Sequence, residues 1–391
     1  MLLTHLKIYT MEGEAVKDGF IHIGSDKKIA AVGPMDALTA KDGDTRDMSG
    51  LCACPGFVDS HCHLGMWEDS LGFEGDDGNE DTDPATPQLR AIDAINPLDR
   101  GFVEALSGGV TTVVTGPGSA NPIGGQLAAI KTHGRVIDNM ILAAPVAIKF
   151  ALGENPKGAY NAKSQTPTTR MATAAIIREN LFKAQRYLAD KERAALDSDI
   201  DEPEFDMKCE SLIPLLKRDV QAHFHAHRAD DIFTALRIAR EFSLDAVIVH
   251  ATDAQVIAEE LSQMGARVML GPAMTGRSKP ELKNLSFEAA LAMKKCGVPF
   301  SIITDHPETP IDYLRLCAMM YVKAGLPRED ALKAITITPA RICAIDDRVG
   351  SIAAGKDADI VITDGEPMDF DARIKYVFSD GAVVYEAPTE D

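Results

Sequence analysis

Strand-forming stretches gather at both ends of this 391-residue chain, and between them strands and helices alternate. That alternation calls for a parallel sheet wrapped by helices. Near the start, Leu6-Lys7-Ile8-Tyr9, Gly19-Phe20-Ile21-His22-Ile23 and 28–33 read as short antiparallel strands. Ala358-Asp359-Ile360-Val361-Ile362-Thr363, 374–378 and 382–385 answer them near the end, so one split β domain is expected from the two clusters. Between them, strands are expected at 55–63, 110–115, 140–149, 220–226, 245–251, 267–270 and 299–305, with helices at 99–107, 168–197, 209–217, 231–242, 254–264, 287–295 and 311–324. Seven strands are clear in that pattern. The eighth is expected near residue 145, because Pro145 removes a ladder donor and would split 140–149 in two. The Gly-rich stretch 116–126 lacks the Lys-Ser/Thr ending of a phosphate loop and reads as a flexible wall.

Composition narrows the class. Hydrophobic residues make up 45% and charged ones 25%, which suits a globular chain with a sizeable core. A formal net charge of −19 argues against nucleic acid, which demands clustered Lys and Arg. The seven cysteines have no framework spacing, so free thiols in a reducing cytoplasm are expected. No apolar run approaches membrane-spanning length, and the start has neither a basic region nor an apolar segment of signal-peptide type. A cytoplasmic, homo-oligomeric protein acting on a small molecule is the expectation, with neither nucleic acid nor membrane as partner.

The chemistry begins in Pro55-Gly56-Phe57-Val58-Asp59-Ser60-His61-Cys62-His63, an apolar strand ending in two histidines one residue apart. Side chains alternate along a strand, so His61 and His63 face one side and can share an ion, while Cys62 faces away. Later strand ends carry Lys149, then His225 within Ala222-His223-Phe224-His225-Ala226-His227, then His250, then Asp305 followed by His306. A lone histidine on an apolar strand is more often a satisfied core residue. Several at the same strand end point to one rim, and only a closed barrel brings those ends together. His223, His225 and His227 share a face, so parity does not choose among them. His306 either orients substrate or, as parity predicts, points away. The densest acidic run, with Glu68, Asp69, Glu74, Asp76, Asp77, Glu80, Asp81 and Asp83, is expected over the pocket mouth. It reads either as a site for a cation or, the favoured reading, as a solvated loop.

This arrangement resembles the amidohydrolase superfamily, in the branch of imidazolonepropionases and prolidase-like peptidases. The resemblance rests on the 55–63 motif, Gly108-Gly109-Val110-Thr111-Thr112, His225-Ala226-His227, His250, Asp305, and Thr338-Pro339-Ala340-Arg341 followed by 350–359. It implies an α/β fold: a (β/α)8 TIM barrel over 55–345, with a small β-sandwich assembled from 1–54 plus 346–391. By the same resemblance His61 and His63 hold a first divalent metal, usually zinc, together with Asp305, which is also the catalytic base. His225 and His250 hold a second metal where one is present, with a carboxylated Lys149 bridging and Glu154 as its alternative. His225 is preferred to His223 because His-Ala-His fits the family pattern. His227 and His306 remain for substrate binding. The implied activity is metal-dependent hydrolysis of a C–N bond in an amide, cyclic amide or small peptide. One alternative is a ring-opening hydrolase or deaminase with a single metal, in which catalytic His250 contacts substrate or water. Another, from a different class, is a non-catalytic dihydropyrimidinase-like scaffold, although such chains tend to lack the metal ligands present here.

Overall fold

The computed structural model describes residues 1–41, 43–68 and 72–388, so Asp69 of the acidic run lies outside the described residues. The N-terminal strands are β1 (Leu2–Ile8), β2 (Val16–Ile23), β3 (Ile29–Pro34), β4 (Thr45–Asp47) and β5 (Cys52–Pro55). The central ones are β6 (Phe57–Cys62), β7 (Val110–Thr115), β8 (Ile123–Lys131), β9 (Ile141–Ala151), β10 (Gln221–Ala226), β11 (Ala246–His250), β12 (Val268–Leu270) and β13 (Phe300–Ile302). β14 (Ile360–Thr363), β15 (Ile374–Ser379) and β16 (Ala382–Glu386) follow. Strands from both termini join in one sheet of order β16-β15-β14-β5-β1-β2-β3, with β4 on β1. Its buried residues, Leu3, Leu6, Ile21, Ile360 and Phe378 among them, form a cluster of their own.

β6 to β13 form the second sheet in chain order. The seam between first and last is crossed by the Asp305 amide to the His61 carbonyl (3.3 Å), the His63 amide to the His306 carbonyl (2.9 Å) and the Ser60 and Ser301 hydroxyls (2.7 Å). The result is a nearly closed, TIM-barrel-like domain. Two expectations are corrected. The eighth strand is β8, not a half of 140–149, and it runs antiparallel to both β7 and β9. β9 is also one unbroken strand of 11 residues. Pro145 is tolerated because β10 pairs with β9 only from Ala147 onward, so on that side no ladder bond is lost.

The helices around the barrel are α1 (Arg100–Ser107), α2 (Glu154–Asn161), α3 (Arg170–Leu196), α4 (Met207–Leu216), α5 (Ala229–Glu241), α6 (Ala258–Gln263), α7 (Ala289–Cys296), α8 (Leu314–Lys323), α9 (Arg328–Lys333) and α10 (Ile337–Ile342). Starts follow capping chemistry: Asp99 accepts the Gly101 amide at α1, and Thr169 accepts that of Ala172 at α3. After α1 the chain turns through Gly109 at φ +80°, where a Cβ would lie 2.8 Å from the Phe57 ring. Only glycine fits there, which explains the Gly-Gly before β7. Ile148, Phe150, Ala222, Phe224 and Ile248 face the helices in the main core. Val58, Val114, Leu127, Val247, Val249 and Met269 fill the barrel, stopped by Ala340 and Ile342 of α10. With α10 plugging one end, chemistry is confined to the other. No helix among the described residues is long and apolar enough to cross a membrane.

Candidate metal centre

The closing seam builds the first half of the site. Register shifts in the β6–β7 pairing interrupt simple alternation along the His-x-His strand. His61 and His63 nonetheless point their Nε2 atoms at one carboxylate oxygen, Asp305 Oδ1, at 3.5 and 3.3 Å. Cys62 packs in the core instead, as parity predicts. Asp305 follows β13 at φ 54°, a conformation that costs a non-glycine residue about 1–3 kcal/mol and persists where surrounding bonds impose it. Asp59 supplies such bonds, accepting from the Thr304 amide (3.1 Å), the Thr304 hydroxyl (2.5 Å) and the His61 amide (3.2 Å). Lys149, wholly buried on β9, brings Nζ within 2.9 Å of His61 Nε2.

The second half lies beside it. His225, His227 and His250 each offer a ring nitrogen, all within 4.8 Å of one another, and the His61 and His250 ring centroids are 5.7 Å apart. His250 ends β11 at φ 74°, and its Nδ1 donates to the Gly271 carbonyl at 2.7 Å. Gly271 is at φ +134°, with the Ile303 carbonyl 2.5 Å from where a Cβ would stand, so the carbonyl that orients His250 requires glycine at this position. His63 Nδ1 donates likewise to the Gly116 carbonyl at 2.7 Å. A carbonyl only accepts, so both rings carry the proton on Nδ1 and keep Nε2 as a lone pair. His223 sits deeper, in register with Lys149, with its Nε2 on the Gln221 side chain at 3.1 Å. The structure thus groups His225 rather than His223 with His250.

Burial holds His61, His225, His227 and His250 neutral. His61, His225 and His227 are driven well below the ordinary imidazole value by desolvation and then by neighbouring cationic groups, and His250 falls to about 4. For Asp305 burial pushes upward, but His250, His63 and Lys149 outweigh it and hold the carboxyl below its usual value. Burial brings Lys149 down to about 8. Neutral imidazoles, an ionised carboxylate, and two buried atoms without a hydrogen-bond partner, His225 Nε2 and Asp305 Oδ1, match what a divalent ion requires. Each orphaned atom costs on the order of 1–3 kcal/mol until something satisfies it.

The same depressed values predict acid lability of metal-free protein. A histidine whose folded pKa lies below its unfolded one binds its proton more readily when unfolded, so stability falls as pH falls through the interval between the two. For His223, at about 3 against 6.5, the full penalty is on the order of 5 kcal/mol. That rivals the roughly 5–15 kcal/mol holding a domain together. Chelator-treated protein is expected to lose stability steeply between about pH 6.5 and 4. A flat urea midpoint across that range would contradict the buried, neutral histidines.

The site opens into a cavity of about 710 Å³ lined by His63, Trp67, Ser119, His225, His227 and Asp305, among others. A cleft of about 810 Å³ lies elsewhere, around Tyr9, Arg328 and Met368, without convergent ligands. His306 is absent from the cavity lining: its Nδ1 accepts from the Ile311 amide at 3.2 Å. Glu154 lines the cavity from the first turn of α2. Of the acidic run, only Trp67 and Asn79 among the described residues of 67–83 reach the lining. Asp76, Asp77 and Glu80 are exposed, and Asp81 and Asp83 pair with Lys163 and Lys208, so the geometry follows the solvated-loop reading. Sequence reasoning missed Glu281, which is 1% exposed in the segment between β12 and α7. No motif marks it, because only tertiary packing brings it to the site.

A family model for the amidohydrolase family matches residues 208–385. An amidohydrolase from Thermotoga maritima of known structure is 39% identical, with a TM-score of 0.94 over 99% of this chain and 100% of that one. Amidohydrolase tasK of Hapsidospora irregularis is 29% identical over 399 residues, covering 95% of this chain, which spans only 40% of that protein's length. An imidazolonepropionase of Sphingopyxis alaskensis is 23% identical over 95% of this chain and 94% of its own. Identity of 39% along the full length, over the same barrel, is what distinguishes kinship from a shared architecture. The chain belongs to the amidohydrolase family, hydrolases acting on carbon–nitrogen bonds.

Proposed function

We propose that this protein is a metal-dependent amidohydrolase that cleaves a C–N bond in a small amide, cyclic amide or peptide, using one or two divalent ions, with zinc the expected metal. The observation that carries the reading is the pair of ligand clusters, His61/His63/Asp305 and His225/His227/His250, at adjacent strand ends with Lys149 against the first. An ion held there would supply Lewis acidity, polarising a scissile carbonyl and acidifying a water. The protein's own residues do the rest. Asp305 Oδ1, ionised and free of a hydrogen-bond donor, takes the attacking water's proton and passes it to the leaving nitrogen. The amine then departs in its protonated form. His63 and His250, fixed through Nδ1, keep their lone pairs directed at the site, and the cavity walls orient the carbonyl.

A second reading has a specific support, the full-length likeness to imidazolonepropionases. On it a single ion serves ring opening or deamination, and His250 contacts substrate or water. The test of both is elemental analysis followed by hydrolysis of a library of N-acyl amino acids, dipeptides and cyclic amides by metal-loaded protein. One or two divalent ions per chain and at least one active class are expected, with activity abolished by chelation and restored by metal. A well-folded, metal-supplemented sample that repeatedly carries no ion would sink the enzyme reading. Activity confined to cyclic amides, with one ion per chain, would favour the second. A scaffold role has less support, since both ligand clusters are intact.

A further inference from the structure

We propose that the second ion is held by three histidines, His225, His227 and His250, with the buried carboxylate of Glu281 standing next to them as the site's counter-charge. This rests on the metal-dependent reading above and extends it to a residue first expected to contact substrate and to one that no motif marks. Each of the three rings has its Nδ1 engaged by an oxygen: the Ser119 hydroxyl for His225 (2.8 Å), the Thr252 hydroxyl for His227 (2.7 Å) and the Gly271 carbonyl for His250 (2.7 Å). Nε2 is therefore the nitrogen each ring has left to offer, and the ligand atoms of the three lie within 4.8 Å of one another. Anchoring the far nitrogen of every ring is how proteins aim imidazoles at a metal. His227 shares the arrangement in full. Its ring stacks on that of His250, with centroids 4.6 Å apart and planes 14° apart, and His225 stands nearly edge-on to His250 at 4.4 Å.

Glu281 is the second, independent observation. Its carboxylate is 1% exposed, and Oε2 accepts the Glu154 amide at 3.0 Å. Oε1 accepts no hydrogen bond and lies 3.6 Å from His227 Nε2, beyond hydrogen-bonding distance, with Lys279 Nζ at 2.8 Å as its ionic contact. Lys279 is itself 26% exposed and also donates to Asn155, so it shields this carboxylate only in part. An ion held by His227 Nε2, the nitrogen that Oε1 faces, would add a positive charge beside this carboxylate to the one that Lys279 supplies. A site of three imidazoles and a nearby carboxylate suits zinc, cobalt or nickel and disfavours magnesium and calcium, which require oxygen ligands.

The test titrates metal-free wild type, His225→Gln, His227→Gln and Glu281→Gln with Zn²⁺ and with Co²⁺, reading stoichiometry, affinity and cobalt absorption. Expected is a wild type that binds two ions and a His227→Gln protein that binds one tightly. The affinity of its second ion should drop by at least ~100-fold, as in His225→Gln, exceeding the roughly 10–100-fold cost of losing an outer partner. The cobalt bands of the second equivalent should change as well. Glu281→Gln should weaken the same ion by roughly 10–100-fold. A His227→Gln protein that takes up its second equivalent with wild-type affinity and absorption, while His225→Gln does not, would overturn the proposal and return His227 to the substrate. A wild type that binds fewer than two ions would refute it as well, but there the two-metal reading fails before any variant is compared. Circular dichroism and thermal melts identify a misfolded variant, for which His227→Asn is substituted.

Discussion

Asp305→Asn is expected to lower kcat by at least ~10²–10⁴-fold while leaving the fold intact, because it removes the group placed to move the reaction's proton. The substitution is unusually clean here. Asp305 sits at φ 54°, and asparagine is among the few residues that tolerate the left-handed region, so the backbone has no reason to shift. Asparagine also keeps the size of the side chain while giving up its charge. That charge is secure in the metal-free protein with an unmodified Lys149: burial works against it, yet His250, His63 and Lys149 hold the carboxyl below its ordinary range. At neutral pH the base form is therefore already present, and an acid limb in the kcat profile would have to come from another group. Weaker binding of the first ion should accompany the loss, since Oδ1 is the oxygen that His61 and His63 both face. Steady-state kinetics on whichever substrate the library yields, with metal content measured alongside, decides the matter. A variant with full metal and kcat within tenfold of wild type would place the base elsewhere.

How far the site was legible in the sequence depended on whether local pattern or tertiary depth decided each position. His61, His63, His250 and Asp305 stand at or just beyond the ends of largely apolar strands, so position along a strand was enough to expect them at one rim. Lys149 was legible for the same reason even though the strand count around it failed. That failure has a physical cause. β8 begins inside a glycine-rich stretch and runs antiparallel, so the rhythm of strand, helix, strand that marks the other barrel strands has no counterpart between β7 and β9. The choice between His223 and His225 was not legible from parity, because depth decides it: His223 is level with Lys149 and bonds to Gln221, whereas His225 is one step further along. Glu281 was hidden altogether. A carboxylate after a loop proline looks solvent-facing until packing encloses it, and nothing local to Lys279-Pro280-Glu281 encodes that enclosure.

Lys149→Ala is expected to lose the second ion and most of the activity, with partial rescue by short carboxylic acids, on the proposal that Lys149 acts as a carbamate. The site is rich in neutral imidazoles and short of anions, with Asp305 the only carboxylate in either ligand cluster among the described residues. An ammonium 2.9 Å from His61 Nε2 would repel any cation that ring could bind. Adding carbon dioxide to the free amine removes that conflict, since the nitrogen gains a carboxylate, releases a proton and turns from cation to anion. Only the neutral amine reacts, and burial makes it available. With Lys149 lowered from 10.5 to about 8, roughly a tenth of the chains carry it at pH 7, against well under a thousandth for an ordinary lysine. Complete enclosure on β9 then keeps water from the product. Arginine cannot take this route, because its guanidinium stays protonated throughout the accessible pH range. Lys149→Arg should therefore be worse than alanine and beyond rescue by acids. Metal content, activity with and without added acetate or propionate, and density at the lysine tip test the assignment together. Two ions retained in Lys149→Ala would refute the bridge, and a bare ammonium turned away from a single bound ion in the wild type would refute it and leave a one-metal hydrolase.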